Sequence, residues 1–339
     1  MINTIKKFRN KFLNNITEAI NQLDKKVEIN SSELENKIDA INKLQIQTAL
    51  YQPAIHNEII RVHNSGIMNV SETEVVAKMF TGHKIYLDPK DVSVTPHLAL
   101  DGIWEGDITK AWLSVVGPND VVMDIGANFG YYGILAAQKT DKKKSKIIFF
   151  EANPHLIPYI EKTLSVNWLN EQSIIENLAV GDKEGAVKLN VLKNYIGSSS
   201  LHSSKHIDAF MHNKMKIIVD STVTIQGTTL DTYCLNNNID NINLIKMDIE
   251  GYEDKAYQGM REIVKASPNI TMFIEFTKDS YGNPRKFFDQ LLKDFGYVYS
   301  ISKEGDIIRP SRSDYDTLIA NEDDWVMPIF SKNPKLSNL

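Results

Sequence analysis

The sequence predicts an α/β fold built on a mainly parallel β-sheet, and three observations carry that reading. From Val121 to Phe295, short apolar runs alternate with stretches whose apolar residues recur at helical spacing. The first of those runs ends in an acid and a glycine-rich turn, "VVMDIGANFGYYGI", Val121 to Ile134, the pattern of a strand feeding a helix around a ligand. The chain's 339 residues suffice for one large domain with an appendage or for two modest ones.

Taken in order, the first fifty residues contain neither proline nor glycine. Ile5, Phe8, Phe12, Ile16, Ala19 and Leu23 form one helical stripe, and Leu34, Ile38, Ile41 and Leu44 form a second. The break between them, "NSSELE", holds Ser32 and Glu35 in capping-box spacing. Residues 1–50 are therefore expected to be a helical arm with three candidate roles. It packs on the main domain, it forms a coiled coil and joins homo-oligomers, or it contacts a membrane surface through Phe8 and Phe12 flanked by Lys6, Lys7, Arg9 and Lys11. Residues 51–115, with "HKIYLDP" and "DGIWEGDITKAWLSVV", read as a lead-in or lid against the mouth of the following domain.

Residues 116–332 carry the regular alternation, and 333–339 are a tail. "DVVMDIG" reads as a strand, "GYYGILAAQKT" as a helix, "KIIFFEA" as a strand, "PHLIPYIEKTLSVN" as a helix and "SIIENLAV" as a strand. "KKKSK" at 142–146 is a solvated loop. Further on, "INLIKMD" reads as a strand, "EDKAYQGMREIVK" as one helix, "ITMFIEF" as a strand and "PRKFFDQLLKDFG" as a helix. "YVYSISK" and "WVMPIF" are expected to add antiparallel strands at one edge.

Bulk composition excludes several function classes. A net charge of −5 argues against a nucleic-acid binder that relies on a broad positive field. A single cysteine, Cys234, leaves no disulfide framework and no cysteine cluster for zinc. No run of about 18 apolar residues spans a bilayer, and the amino terminus lacks a signal-peptide core. The expectation is a cytoplasmic protein without a transmembrane segment.

The glycine turn narrows the ligand. A dinucleotide fingerprint reads G-x-G-x-x-G, and its second glycine lets the backbone approach the pyrophosphate. Here Gly126, Ala127, Asn128, Phe129 and Gly130 supply only G-x-x-x-G. Asp124, at the end of the strand, places negative charge where a phosphate would be repelled and an ammonium or sulfonium group favoured. Glu151 closes the next strand, 27 residues on, where a carboxylate accepts hydrogen bonds from both ribose hydroxyls. An acid near a glycine turn is often only a cap. Two acids ending consecutive strands point instead to S-adenosylmethionine, which carries both cationic groups.

With those residues in view, the chain resembles the FkbM-type family of S-adenosylmethionine-dependent methyltransferases. "DIGANFGYYG", "FFEANP", "NLAVGD", "GSSSL", "TTLD" and "LIKMDIEGYE" occur in that family's order, over roughly residues 95–280. The resemblance implies a class I, Rossmann-like methyltransferase fold of seven strands with the last antiparallel, joined here to an N-terminal helical extension. It also implies methyl transfer to oxygen on sugars or related natural products. Ala152 stands where many members have proline, and residues 1–50 lie outside the resemblance. The expected cofactor-binding set is Glu105, Asp124, Gly126, Asn128, Gly130, Glu151, Asn153, Asn177 and Ala179. Within it, Glu105 helps to hold the methionine part by likeness to a G-x-x-E of related sequences, and Asn177 and Ala179 border the adenine.

A sugar hydroxyl is a poor nucleophile until its proton is removed, so a general base is expected at the mouth of the site. Asp248 is the candidate base or acceptor-orienting group, with Glu250 and Glu275 binding acceptor hydroxyls or raising its pKa by like-charge proximity. In the bland alternative Glu250 caps a helix and Glu275 pairs with Lys246. A divalent ion held by these acids is a second option, not favoured because no histidine accompanies them. His202, His206 and His212 read as surface residues, while Ser199 and Ser200 read as contacts to cofactor or acceptor. The expected activity is O-methylation of a saccharide, such as a cell-surface glycan or its precursor. A non-sugar small-molecule acceptor, a nicotinamide dehydrogenase and a non-catalytic scaffold with a vestigial fold are the alternatives.

Overall fold

The structure is a computed structural model that describes residues 66–199, Leu201, 219–320 and 325–336, with isolated positions before residue 66. The expected helical arm, Ser200 and the three loop histidines lie outside the described residues. Residues 61–339 form one compact unit and residues 1–60 another.

The strands are β1 (Ile67–Ser71), β2 (Glu74–Lys78), β3 (Lys84–Leu87), β4 (Val121–Ile125), β5 (Lys146–Phe150), β6 (Ser173–Glu176), β7 (Ala179–Val180), β8 (Gly185–Leu192), β9 (Val219–Thr228), β10 (Leu244–Met247), β11 (Thr271–Ile274), β12 (Tyr297–Ile301), β13 (Ile307–Ile308) and β14 (Ile329–Ser331). The helices are α1 (Val94–Asp101), α2 (Gly106–Val115), α3 (Tyr131–Lys139), α4 (Ile157–Val166), α5 (Leu230–Asn236), α6 (Glu253–Gln258), α7 (Arg261–Ala266) and α8 (Pro284–Phe295).

The main sheet runs β13-β12-β14-β11-β10-β4-β5-β6. From β6 to β11 every neighbour is parallel, and β14 is antiparallel to both β11 and β12. Strand order reverses beside β4, because β5 follows it on one side and β10 lies on the other. That is where an open α/β sheet offers a crevice at its carboxyl edge.

The near-continuous apolar runs of β4, β5 and β10 follow from burial on both faces. Val122, Ile147, Phe149 and Leu244 point into one core, shared with α2, α3 and α4. Met123, Ile125, Ile148, Phe150, Ile245 and Met247 point into the other, shared with α5, α6, α7 and α8. Val75, Ile85 and Leu87 of β2 and β3 belong to the first of these cores. The described part of the lead-in is thus built into the domain rather than laid over its mouth.

Four local expectations are corrected. "EDKAYQGMREIVK" is two helices, since the Gly259 carbonyl accepts from Asp231 N–H at 2.9 Å. The Asp231 carboxylate then accepts from Glu262 and Ile263 N–H, satisfying the first turn of α7. "SIIENLAV" divides at Asn177 and Leu178, and β7 leaves for a small sheet ordered β7-β9-β8. The long β8 and β9 pairing has little apolar patterning because many of its residues are exposed. Finally, "WVMPIF" is no edge strand: β14 inserts between β11 and β12, and β12 therefore runs parallel to β11.

Candidate active site

The site begins with the turn after β4. Gly126 and Ala127 N–H both donate to the Phe150 carbonyl, at 2.9 and 3.0 Å, which ties the turn to the end of β5. Gly126 has a φ of +79°, and a Cβ there would lie 1.8 Å from the Asp248 carbonyl oxygen. Only glycine lets the ends of β4 and β10 approach so closely. Asn128 also has a positive φ, +54°, and Gly130 at +82° ends the turn as the cap of α3.

Glu151 is buried at the end of β5. One carboxylate oxygen accepts from Asn128 N–H and the other from Asn153 N–H, each at 2.7 Å. Each oxygen keeps a second lone-pair direction, and the residue lines a cleft with about 460 Å3 of unfilled space, open solvent at its mouth included. Burial raises its pKa to about 7 against the effect of those two donors. Phe150, Leu178, Ala179 and Leu189 supply apolar walls, and Asp248 and Glu250 close the other side. The Asn128 Oδ1 atom is buried without a partner among the described residues, beside the Gly197 backbone. An acid aimed across apolar walls, a carboxylate pair opposite and an orphaned acceptor fit an adenosine with a cationic tail.

Beyond β10, Asp248 N–H donates to the Ile125 carbonyl at 3.0 Å, fixing this loop to the first strand. Glu250 has a φ of +56°, and its side chain is hydrogen-bonded to Ser198. Burial, then Asp248, raises its pKa. Glu253 is fully buried at the start of α6. One of its oxygens accepts from Ile249 and Gly251 N–H at 2.9 and 3.3 Å, and the other accepts from the Tyr281 hydroxyl at 2.8 Å. Glu253, not Glu250, is therefore the residue that holds the loop to the helix. Glu275 ends β11, and burial followed by Asp248 raises its pKa strongly.

Of the residues singled out from sequence, Gly126, Glu151, Ala179, Ser199, Asp248 and Glu250 line the cleft. Asp124, Asn128, Gly130, Asn153 and Asn177 stand behind it and shape it. Asp124 Oδ2 accepts from Gly133 N–H at 2.7 Å, under the turn and 2% exposed, and burial raises its pKa to about 6. Asn177 donates its amide to the Glu151 and Ala152 carbonyls, and Asn153 donates to Ile196 O and Ser199 Oγ. Glu105 and Glu275 do not line the cleft either. Glu105 accepts from the Tyr132 hydroxyl at 2.6 Å.

Lys246 was expected to pair with Glu275, but its ammonium lies 3.1 Å from Asp248 Oδ2. The signal for its importance was a lysine inside the apolar run "LIKM". Oxygens of Asp248, Glu253 and Glu275 lie within 4.8 Å of one another, close enough to share a cation. Three hydrogen bonds already occupy Glu253, and the Lys246 ammonium already faces Asp248.

A family model for the methyltransferase FkbM domain matches residues 124–299, more than half of the chain. The chain belongs to the FkbM methyltransferase family. All the cleft acids fall inside the matched range, whereas Glu105 precedes it. The FkbM chain has the class I methyltransferase fold, with seven strands in the main sheet, β14 antiparallel, and the short β13 added at the edge.

Among solved structures, the chain is similar to methyltransferase FkbM from Methylobacillus flagellatus KT, at 14% identity and a TM-score of 0.37, over 63% of this chain and 44% of that one. The FkbM chain thus spans less than half the length of that protein. It is also similar to P. horikoshii TYW2 in complex with MeSAdo, at 13% identity and a TM-score of 0.40, over 84% and 83% of the two chains. For M. jannaschii TYW2 in complex with AdoMet the values are 15%, 0.39, 78% and 88%. No curated protein matches the sequence.

Proposed function

We propose that the chain is an S-adenosylmethionine-dependent O-methyltransferase whose acceptor is a saccharide hydroxyl. The observation that carries this reading is the Glu151 carboxylate, held by two backbone donors at the end of β5, facing Asp248 and Glu250 across one cleft. Glu151 would hold the ribose hydroxyls and Ala179 and Leu178 would border the base. The turn at 126–130 would admit the methionine part beside Asp124, with Glu105 nearby. When bound, S-adenosylmethionine supplies an electrophilic methyl group on a sulfonium.

Asp248 is the group placed to act on the acceptor. Its carboxylate takes the hydroxyl proton as the oxygen forms its bond to the methyl carbon and the carbon–sulfur bond breaks, leaving a neutral thioether. Lys246 fixes one Asp248 oxygen, so the other is directed away from it. Glu250 and Glu275 offer only acceptors when ionised, which suits a donor-rich polyol. Apolar walls and the Gly197–Ser199 segment exclude water from the transfer.

The test is incubation with methyl-labelled adenosylmethionine and glycan extracts of the source cells. Label in a glycan fraction is expected, and label only in a small metabolite or a protein rejects the saccharide. Asp248→Asn should lower transfer by about 10²- to 10⁴-fold while leaving cofactor affinity within about threefold. Equal loss of both would place Asp248 in the cofactor pocket instead.

A further inference from the structure

Lys246 is the one basic side chain buried among the acids of the site, counted over the described residues, and it is 2% exposed. On β10 it pairs with Asp124 of β4 and Phe273 of β11, so it rises from the middle of the sheet. Its neighbours Ile245 and Met247 point into one core, and Lys246 points to the opposite face, where Trp112 and Tyr132 pack. The ammonium lies 4.9 Å from the centre of the Tyr132 ring and 3.1 Å from Asp248 Oδ2. The Tyr132 hydroxyl donates to Glu105, and Trp112 Nε1 donates to the Tyr132 carbonyl at 3.1 Å, so the ring that carries the cation is itself fixed.

A buried ammonium without compensating charge costs several kcal/mol, and so does a buried carboxylate. Here the charges face one another. Lys246 is confronted by Glu105 from before α2, Asp124 from β4, Asp248 from β10 and Glu275 from β11, with the Tyr132 ring from α3. Asp248 in turn faces Glu250, Glu253 and Glu151. Seven acids thus surround one ammonium. An ionised ring of this kind discriminates between a sulfonium ligand and the neutral thioether left after transfer, because only the first gains Coulomb energy there.

Resting on the cofactor reading above, we propose that Lys246 is a positioning residue. It keeps the acids around the cleft ionised and in place near neutral pH, and so sets the pH range in which the site prefers adenosylmethionine to adenosylhomocysteine. Lys246 touches neither ligand in this account. It acts through Asp248 directly and through Glu105, Asp124 and Glu275 across the space they share. The cation that burial alone would deprotonate stays charged because four carboxylates outweigh its desolvation, and its pKa is raised.

The experiment is calorimetric titration of the full chain with adenosylmethionine and with adenosylhomocysteine between pH 5 and 8.5. The two ligands share the adenosine and the amino-acid tail, so the ratio of their affinities isolates the sulfonium charge. In the wild type the preference for adenosylmethionine should fall as the acids take up protons. In Lys246→Met that fall should move upward by about one pH unit or more, and in Lys246→Arg it should stay near the wild-type position. A profile unmoved in Lys246→Met, with both ligands bound, overturns this inference alone. Absence of binding of either ligand to the wild type overturns the cofactor reading and this inference with it. Should Lys246→Met fail to fold, Glu105→Gln decides the matter, since it removes a buried charge instead of exposing one. Its profile should move to lower pH, and an unmoved profile overturns the inference.

Discussion

Gly126→Ala tests the turn on which the site is built. An alanine Cβ would sit 1.8 Å from the Asp248 carbonyl oxygen, whereas real Cβ contacts essentially never fall under 3.0 Å, so the ends of β4 and β10 must separate by about 1.2 Å. The left-handed backbone at φ +79° adds roughly 1–2 kcal/mol for any L-residue. The hydrogen bond from Asp248 N–H to Ile125 O lies on the same junction and contributes about 1 kcal/mol. Together these predict a loss of about 2–3 kcal/mol, or a Tm lower by about 5–10 °C for a domain of this size. A displacement of about 1 Å between the cofactor turn and Asp248 also predicts a fall in methyl transfer on the order of 10²-fold. Gly82→Ala is the control. Gly82 has a φ of +87° with nothing within 4 Å of its added Cβ, so it isolates the backbone cost from the contact. Thermal denaturation and calorimetric titration with adenosylmethionine measure both effects. If Gly126→Ala matches Gly82→Ala in Tm and binds the cofactor as the wild type does, the close approach of the two strands is not what shapes the site.

Other consequences are equally open to measurement. Glu151→Ala should weaken adenosylmethionine binding at least about tenfold, since two hydrogen bonds from a ribose to a charged acceptor are lost, and binding within twofold of wild type would refute the ribose role. Asp124 and Glu151 hold protons more tightly folded than unfolded, with pKa values near 6 and 7. Their contribution to stability is therefore largest below the ordinary carboxyl range and is lost as pH rises through 6 to 7. The ligand-free Asp124→Asn variant should accordingly lose less stability than the wild type between pH 5 and 8 in denaturant titrations, and parallel curves would contradict the assignment. Extensive dialysis against a chelator should leave cofactor binding and transfer unchanged, because Glu253 is already saturated and Lys246 faces Asp248; a loss restored by a divalent ion would show that these acids share a metal.

The parallel strands were legible because burial on both faces leaves unbroken apolar runs, and the acids ending β4 and β5 were legible because each sits at a fixed place after such a run. Breaks imposed from elsewhere in the chain were not legible. Gly259 ends α6 because Asp231, 28 residues earlier, takes its carbonyl and caps the next helix. The place of β14 depends on pairing with β11, some 55 residues before it, and nothing within "WVMPIF" specifies an interior strand. At the site, residue types pointed to the right loops but not to the division of labour. Asp124 and Asn177 serve the backbone, Glu253 saturates its oxygens on the loop, and Lys246 contacts Asp248, all through distances that sequence spacing does not encode.

Hydrogen–deuterium exchange of the full chain with and without adenosylmethionine tests the central claim most directly, because it locates the ligand as well as detecting it. The account predicts protection concentrated in peptides covering 124–131, 150–154 and 248–253. Protection confined to other segments, or equal protection of these by NAD, would contradict an adenosylmethionine site at the carboxyl ends of β4, β5 and β10.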